Sequence, residues 1–149
     1  MSTTDAGRIK IALRLEQEDG WPPVAWELLW AIARVGDTAQ VDNIPFFAKG
    51  LASGDLVAFS RDADQLTFAG VLVPGGHSTI RVIMYELEQK AATRETLHRL
   101  GCETEGSHLP SLFAVDVPPN VSYERVVEFL DERASADVLE YEEGAIRHP

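Results

Sequence analysis

Apolar and polar positions alternate with a period of two through much of the first half of the chain. From Arg8 to Leu15, Ile9, Ile11, Leu13 and Leu15 interleave with Arg8, Lys10, Ala12 and Arg14, the pattern of a strand with one buried face. Gly20, Pro22 and Pro23 punctuate a loop, after which Val24 to Val35 sets Trp26, Leu28, Trp30 and Ile32 on one side. An amphipathic helix competes for that stretch, but the Pro-Pro start and the Gly36-Asp37 turn into Thr38 to Val41 favour a hairpin. Leu56 to Ser60 and Leu66 to Val73, joined by the polar Arg61 to Gln65, predict a second hairpin.

The rhythm changes after Pro74, Gly75 and Gly76. A strand over Thr79 to Tyr85 precedes a helix over Gln89 to Leu100 that Gly101 stops. Strands follow at Cys102 to Glu105 and Leu112 to Val117, then a helix over Tyr123 to Ala134 and a strand over Val138 to Glu143. Ser122 is placed as the N-cap of the second helix, with Tyr123, Val126, Val127, Leu130 and Ala134 on one stripe.

This order, βαββαβ, predicts an α+β protein: a small antiparallel β lobe over residues 1–75, packed on a ferredoxin-like half over 76–149. If Ile80, Val82 and Met84 face the helices, then Thr79, Arg81, Ile83 and Tyr85 face the opposite way. Ile83 and Tyr85 would need cover there, so the β lobe is expected against the Tyr85 end, with His77 to Arg81 left open.

Charge narrows the partners. Asp plus Glu number 24 against 13 Lys plus Arg, a formal charge of -11 that repels phosphate backbones and anionic headgroups and favours a basic protein. No apolar run reaches the roughly 18 residues of a membrane span, and the first ten residues lack a basic and apolar leader, so a cytoplasmic address is expected. Cys102 is the single cysteine, which precludes an internal disulfide, and with no basic residue beside it the expectation is a buried small hydrophobe.

The most constrained stretch is Val41 to Asp55, VDNIPFFAKGLASGD. Asp42 and Asn43 suit a turn, Pro45 fixes φ, and Gly50 and Gly54 permit conformations other residues resist. Phe46 and Phe47 are expected to anchor this loop into the core, which would let Asn43, Lys49 and Asp55 meet a ligand. A second cluster, GHSTIR, puts His77, Thr79 and Arg81 on one strand face, able to hold an anion or move a proton. Its bland alternative is a turn closed by His77 and Ser78, with Arg81 paired across strands to Glu140 or Glu142.

Catalytic chemistry finds little support. His77, His98, His108 and His148 show no metal-ligand spacing, no phosphate-cradling glycine motif occurs, and Ser107 and Ser111 lack a nucleophile elbow. No metal, cofactor or catalytic residue is predicted.

The DNIPFFAxGLAxGD and GHSTxR signatures, with GCETEGSHLPSLFAVDVPP and LEYEEGAIR, resemble a family of short bacterial proteins known only as a domain of unknown function. The likeness runs from about Ile9 to Ile146. It implies a complete unit of this length in a bacterial cytosol and assigns no activity. Two functions stay in view. One is a non-catalytic, immunity or antitoxin-like protein that masks a basic partner through Glu140, Glu142 and Glu143. The other is a small-anion site, or an enzyme, between the lobes, with Asn43, Lys49, Asp55, His77, Thr79 and Arg81 as its ligands.

Overall fold

Residues with alternating polarity between Arg8 and Val73 form five strands in the computed structural model, which describes residues 7–149. They are β1 (Arg8–Arg14), β2 (Trp26–Ala33), β3 (Thr38–Val41), β4 (Leu56–Asp62) and β5 (Gln65–Val73). Neighbours in sequence pair antiparallel, and a parallel contact of Ala12 with Thr67 joins β1 to β5 and closes a barrel. The second half contains β6 (Ser78–Met84), α1 (Lys90–Arg99), β7 (Glu103–Gly106), β8 (Leu112–Val117), α2 (Tyr123–Ser135) and β9 (Leu139–Ala145). Its strands make one antiparallel sheet in the order β7-β8-β6-β9. The protein is thus mixed α+β, mostly antiparallel, with two helices among the described residues.

Each half has its own core. Ile80, Val82, Phe113 and Val115 on one face of the sheet pack with Leu97 of α1 and with Val126 and Leu130 of α2. Ser122 caps α2 by accepting from the Arg125 N–H. Gly101 ends the α1 turn at φ 103°, where an added Cβ would stand 2.7 Å from Val121. In the barrel, Ile11, Leu29, Ala31, Ala39 and Val57 fill the interior.

Strand β2 presents its faces the other way from what its indoles would lead one to expect. Glu27, Leu29 and Ala31 point inward, while Trp26, Leu28 and Trp30 look out, 43%, 60% and 37% exposed. A barrel of five strands encloses too narrow a space for two indoles, so small aliphatic side chains take it. The central loop is also anchored differently. Phe46 and Phe47 are only half buried, and Ile44, Ala48, Leu51 and Ala52 seat the loop instead.

The barrel side meets β6 at the opposite end from the Tyr85 end anticipated for it, and does so through the central loop. Thr79 and Arg81 are buried beneath it, whereas Tyr85 is 56% exposed. The reason is backbone chemistry: a non-repetitive loop carries carbonyls that need donors, and the polar end of β6 supplies them.

Candidate binding cleft

Strand alternation turns His77, Thr79, Arg81 and Ile83 away from the helices, toward the barrel and its central loop. Arg81 is the pivot, 3% exposed. Its Nη1 donates to the carbonyls of Phe46 and Ala48 at 2.9 and 3.1 Å. From the barrel side the buried Glu27 carboxylate accepts the N–H groups of Phe46, Phe47 and Ala48 at 2.6, 3.0 and 3.0 Å. Phe46 and Ala48 are therefore held by an anion on their N–H side and a cation on their carbonyl side, both through charge-assisted bonds.

Across the sheet, Arg81 faces Glu142, with Nε 3.5 Å from Oε2. Lys49 reaches the other oxygen of Glu142 at 3.3 Å. Gly144 makes room for the guanidinium, since a Cβ there would lie 3.0 Å from Nη2. Nη2 itself is buried and has no hydrogen-bond partner among the described residues.

The remaining polar residues of the loop and of GHSTIR tie the fold together. Asp55, fully buried, accepts from the Ala52 and Gly75 N–H groups and from Arg147 Nη2, at 3.0, 2.9 and 3.0 Å. Thr79 donates to the Leu51 carbonyl at 3.4 Å. His77 Nδ1 lies 2.9 Å from both oxygens of Asp116, and its ring rests against Gly54. Ser78 Oγ accepts the Arg147 N–H and sits 2.6 Å from His148 Nδ1, so the C-terminal residues strap the end of β6. Asn43 serves the barrel, its Oδ1 accepting the Trp30 N–H at 2.9 Å.

Two adjoining hollows flank Arg81, of about 830 and 460 Å³, and both are lined by Trp21, Arg81 and Glu142. Of the six ligand candidates named from sequence, Lys49 and Arg81 line these hollows; Asn43, Asp55, His77 and Thr79 do not. The larger hollow is walled by Glu16, Glu18 and Asp19 from the loop after β1, and the smaller by Glu140, Ile83 and Tyr141. Trp21 stands between them, edge-on to Phe47 at 5.7 Å. Sequence reasoning passed over this residue as part of a Gly and Pro loop; an indole beside three carboxylates in EQEDGW was the available signal.

The carboxylates of β9 divide between the two faces of the sheet. Glu140 and Glu142 look into the cleft, whereas Glu143 accepts from the Tyr123 hydroxyl at 2.5 Å. Burial raises the Asp116 carboxyl above its usual range, against the opposing pull of His77. Burial likewise pushes the Cys102 thiol up to about 12, leaving no thiolate for chemistry near neutral pH. Among the described residues no group of His, Cys, Asp and Glu is placed to hold a metal ion. No helix among them is long and apolar enough to cross a membrane.

Fold and cleft together define a two-core α+β protein with an acidic, aromatic hollow at the junction of its halves. The chain belongs to the family of the domain of unknown function DUF4265, whose model matches residues 27–141. It is similar to a solved structure, a hypothetical protein from Neisseria gonorrhoeae, with a TM-score of 0.78 and 21% identity over 95% of this chain and 98% of that one. That likeness shows a shared fold. No curated protein matches the chain.

Proposed function

We propose that the protein is a non-catalytic cytoplasmic binding protein of immunity or antitoxin type, which masks a basic segment of a protein partner in the cleft beside Arg81. One observation carries this: Trp21 stands at the mouth of the cleft among Glu16, Glu18, Asp19 and Glu140. An indole face ringed by carboxylates suits a lysine or arginine side chain, which gains cation–π and ion-pair attraction at once. Arg14, Lys49 and Arg81 also line the hollows, the last two sharing Glu142, but the five carboxylates Glu16, Glu18, Asp19, Glu140 and Glu142 outnumber these three cations. The overall charge of -11 adds long-range steering of a basic partner.

In the architecture proposed with it, residues 1–75 are a β lobe and 76–149 a ferredoxin-like half, the cleft lying where they meet. The strand order β7-β8-β6-β9, with helices after β6 and β8 packed on one face, supports that reading.

Titration calorimetry with a short lysine- and arginine-rich peptide tests the function. Binding should weaken about tenfold or more in Trp21→Ala and in Glu140→Lys, and hardly change in Glu143→Lys, whose carboxylate lies outside the cleft. Equal binding by the first two variants would refute the reading. A second reading, a small anionic ligand, is favoured by the buried Arg81 Nη2, which has no hydrogen-bond partner among the described residues. Titration with inorganic phosphate separates the two, since an anion site binds it and an acidic cleft does not.

A further inference from the structure

The outer face of the barrel carries a different chemistry from the rest of the molecule. Trp26, Leu28 and Trp30 stand in a row on β2 and stay exposed. At about 3.3 Å per residue the row is roughly 13 Å long. Beside it β1 places Lys10 opposite Trp30, Ala12 opposite Leu28 and Arg14 opposite Trp26. The cations lie on the indoles: Arg8 and Lys10 are 4.4 and 4.7 Å from the Trp30 ring centroid, and Arg14 is 5.9 Å from that of Trp26. Among the described residues, Arg8 has one carboxylate within 4 Å, Asp42 at 3.8 Å.

Three of the 13 basic residues of a chain with net charge -11 are thus gathered on a single strand face with three exposed large apolar side chains. Solubility does not require this, because scattered charge serves it as well. A contiguous apolar row of this kind marks an interaction site.

We infer that the β1–β2 face docks an extended acidic segment of a protein partner, with an apolar side chain seated on Leu28 between two carboxylates. Charge complementarity fixes the sign of the occupant. Geometry fixes its pattern. Leu28, 60% exposed, stands between the Lys10–Trp30 and Arg14–Trp26 pairs and is the open apolar seat of the row, Ala12 opposite it being itself buried. The flanking carboxylates then meet Lys10 and Arg14 at the edges of their charged groups, which remain stacked on the indoles. A nucleic acid fits less well, because its bases would compete with Arg8 and Lys10 for the Trp30 face.

The test uses the full chain and a synthetic ten-residue peptide alternating Glu with Leu and Phe, followed by calorimetry and by amide and indole shifts in NMR. Binding is expected, with shifts at Lys10, Leu28 and the Trp30 indole, and with affinity falling as salt rises. Arg8→Glu combined with Lys10→Glu should weaken it at least about tenfold. Leu28→Ser, at an exposed position that leaves folding intact, should weaken it by a similar factor. The inference is overturned if the peptide fails to bind or binds these variants as well as the parent. It is also overturned if a single-stranded oligouridylate takes the face in its place, or if the face serves only self-association that the same variants abolish.

Discussion

Glu27 shows how a single buried charge can be the cheapest solution available to a loop. Its carboxylate replaces water for three consecutive N–H groups, and one side chain thereby satisfies donors that the irregular backbone of Val41 to Asp55 cannot pair internally. Removing it strands those donors and leaves Arg81 pulling on the same residues alone. Glu27→Ala is expected to cost about 3 to 5 kcal/mol in urea unfolding, and Glu27→Gln less, because an amide oxygen still accepts. Asp116 is the opposite case, a carboxyl that burial holds above the ordinary aspartate range. A raised folded-state value means that the native state binds the proton more tightly than the unfolded chain does. Stability therefore falls as pH rises from the ordinary aspartate range through the raised value, and above that it stays lower by a constant amount. Asp116→Asn carries no such charge and keeps an acceptor for His77. Measured by urea melts across that interval, the variant should gain on the wild type as pH rises; a difference independent of pH would contradict this.

At the scale of elements, strand positions were legible because a period of two survives any packing arrangement, and both helices were legible from their stripes and from Ser122 and Gly101. Which face of a strand lies inward was not legible in β2. Its alternate positions read Trp, Leu, Trp on one side and Glu, Leu, Ala on the other, so hydrophobicity favours the wrong face. The deciding quantity is the width of a five-stranded barrel, a property of the closed sheet and not of the strand. The loop shows a related limit. Pro45, Gly50 and Gly54 announced its rigidity, but its partners lie 19 to 21 residues back at Glu27 and 33 to 35 residues ahead at Arg81. Such pairing is chosen by tertiary packing. The GHSTIR residues carried a correct alternation and a misjudged surrounding: Thr79 and Arg81 were read as an open polar end, and they became the donors that hold the loop. The cleft was half legible, since Lys49, Arg81, Glu140 and Glu142 line it and were singled out, while Trp21 was taken for punctuation.

For the whole molecule, the question is whether two cores fold as one. The barrel and sheet clusters do not share a buried residue, and the ties between them run through the central loop: Arg81 to Phe46 and Ala48, Thr79 to Leu51, Gly50 to Gly144, and Asp55 to Gly75 and Arg147. Arg81 contributes the only charge-assisted bonds from β6 to the 46–48 stretch, so it sets much of the coupling. The chain offers separate reporters for the halves. Trp26 and Trp30 belong to the barrel strand β2, with Trp21 on the loop that leads into it and meets the cleft, and both helices belong to the sheet side. In the wild type, tryptophan fluorescence and the helical circular dichroism signal should trace one urea transition. Arg81→Met keeps the bulk and removes the donors, leaving the Phe46 and Ala48 carbonyls unpaired, which costs about 1 to 3 kcal/mol for each buried group. The barrel holds the smaller cluster and loses one side of its loop restraint, so its fluorescence transition should move to lower urea ahead of the helical signal. Two curves that shift together would show that the strap through Arg147 and Asp55 suffices to couple the halves, and that Arg81 serves the local loop alone.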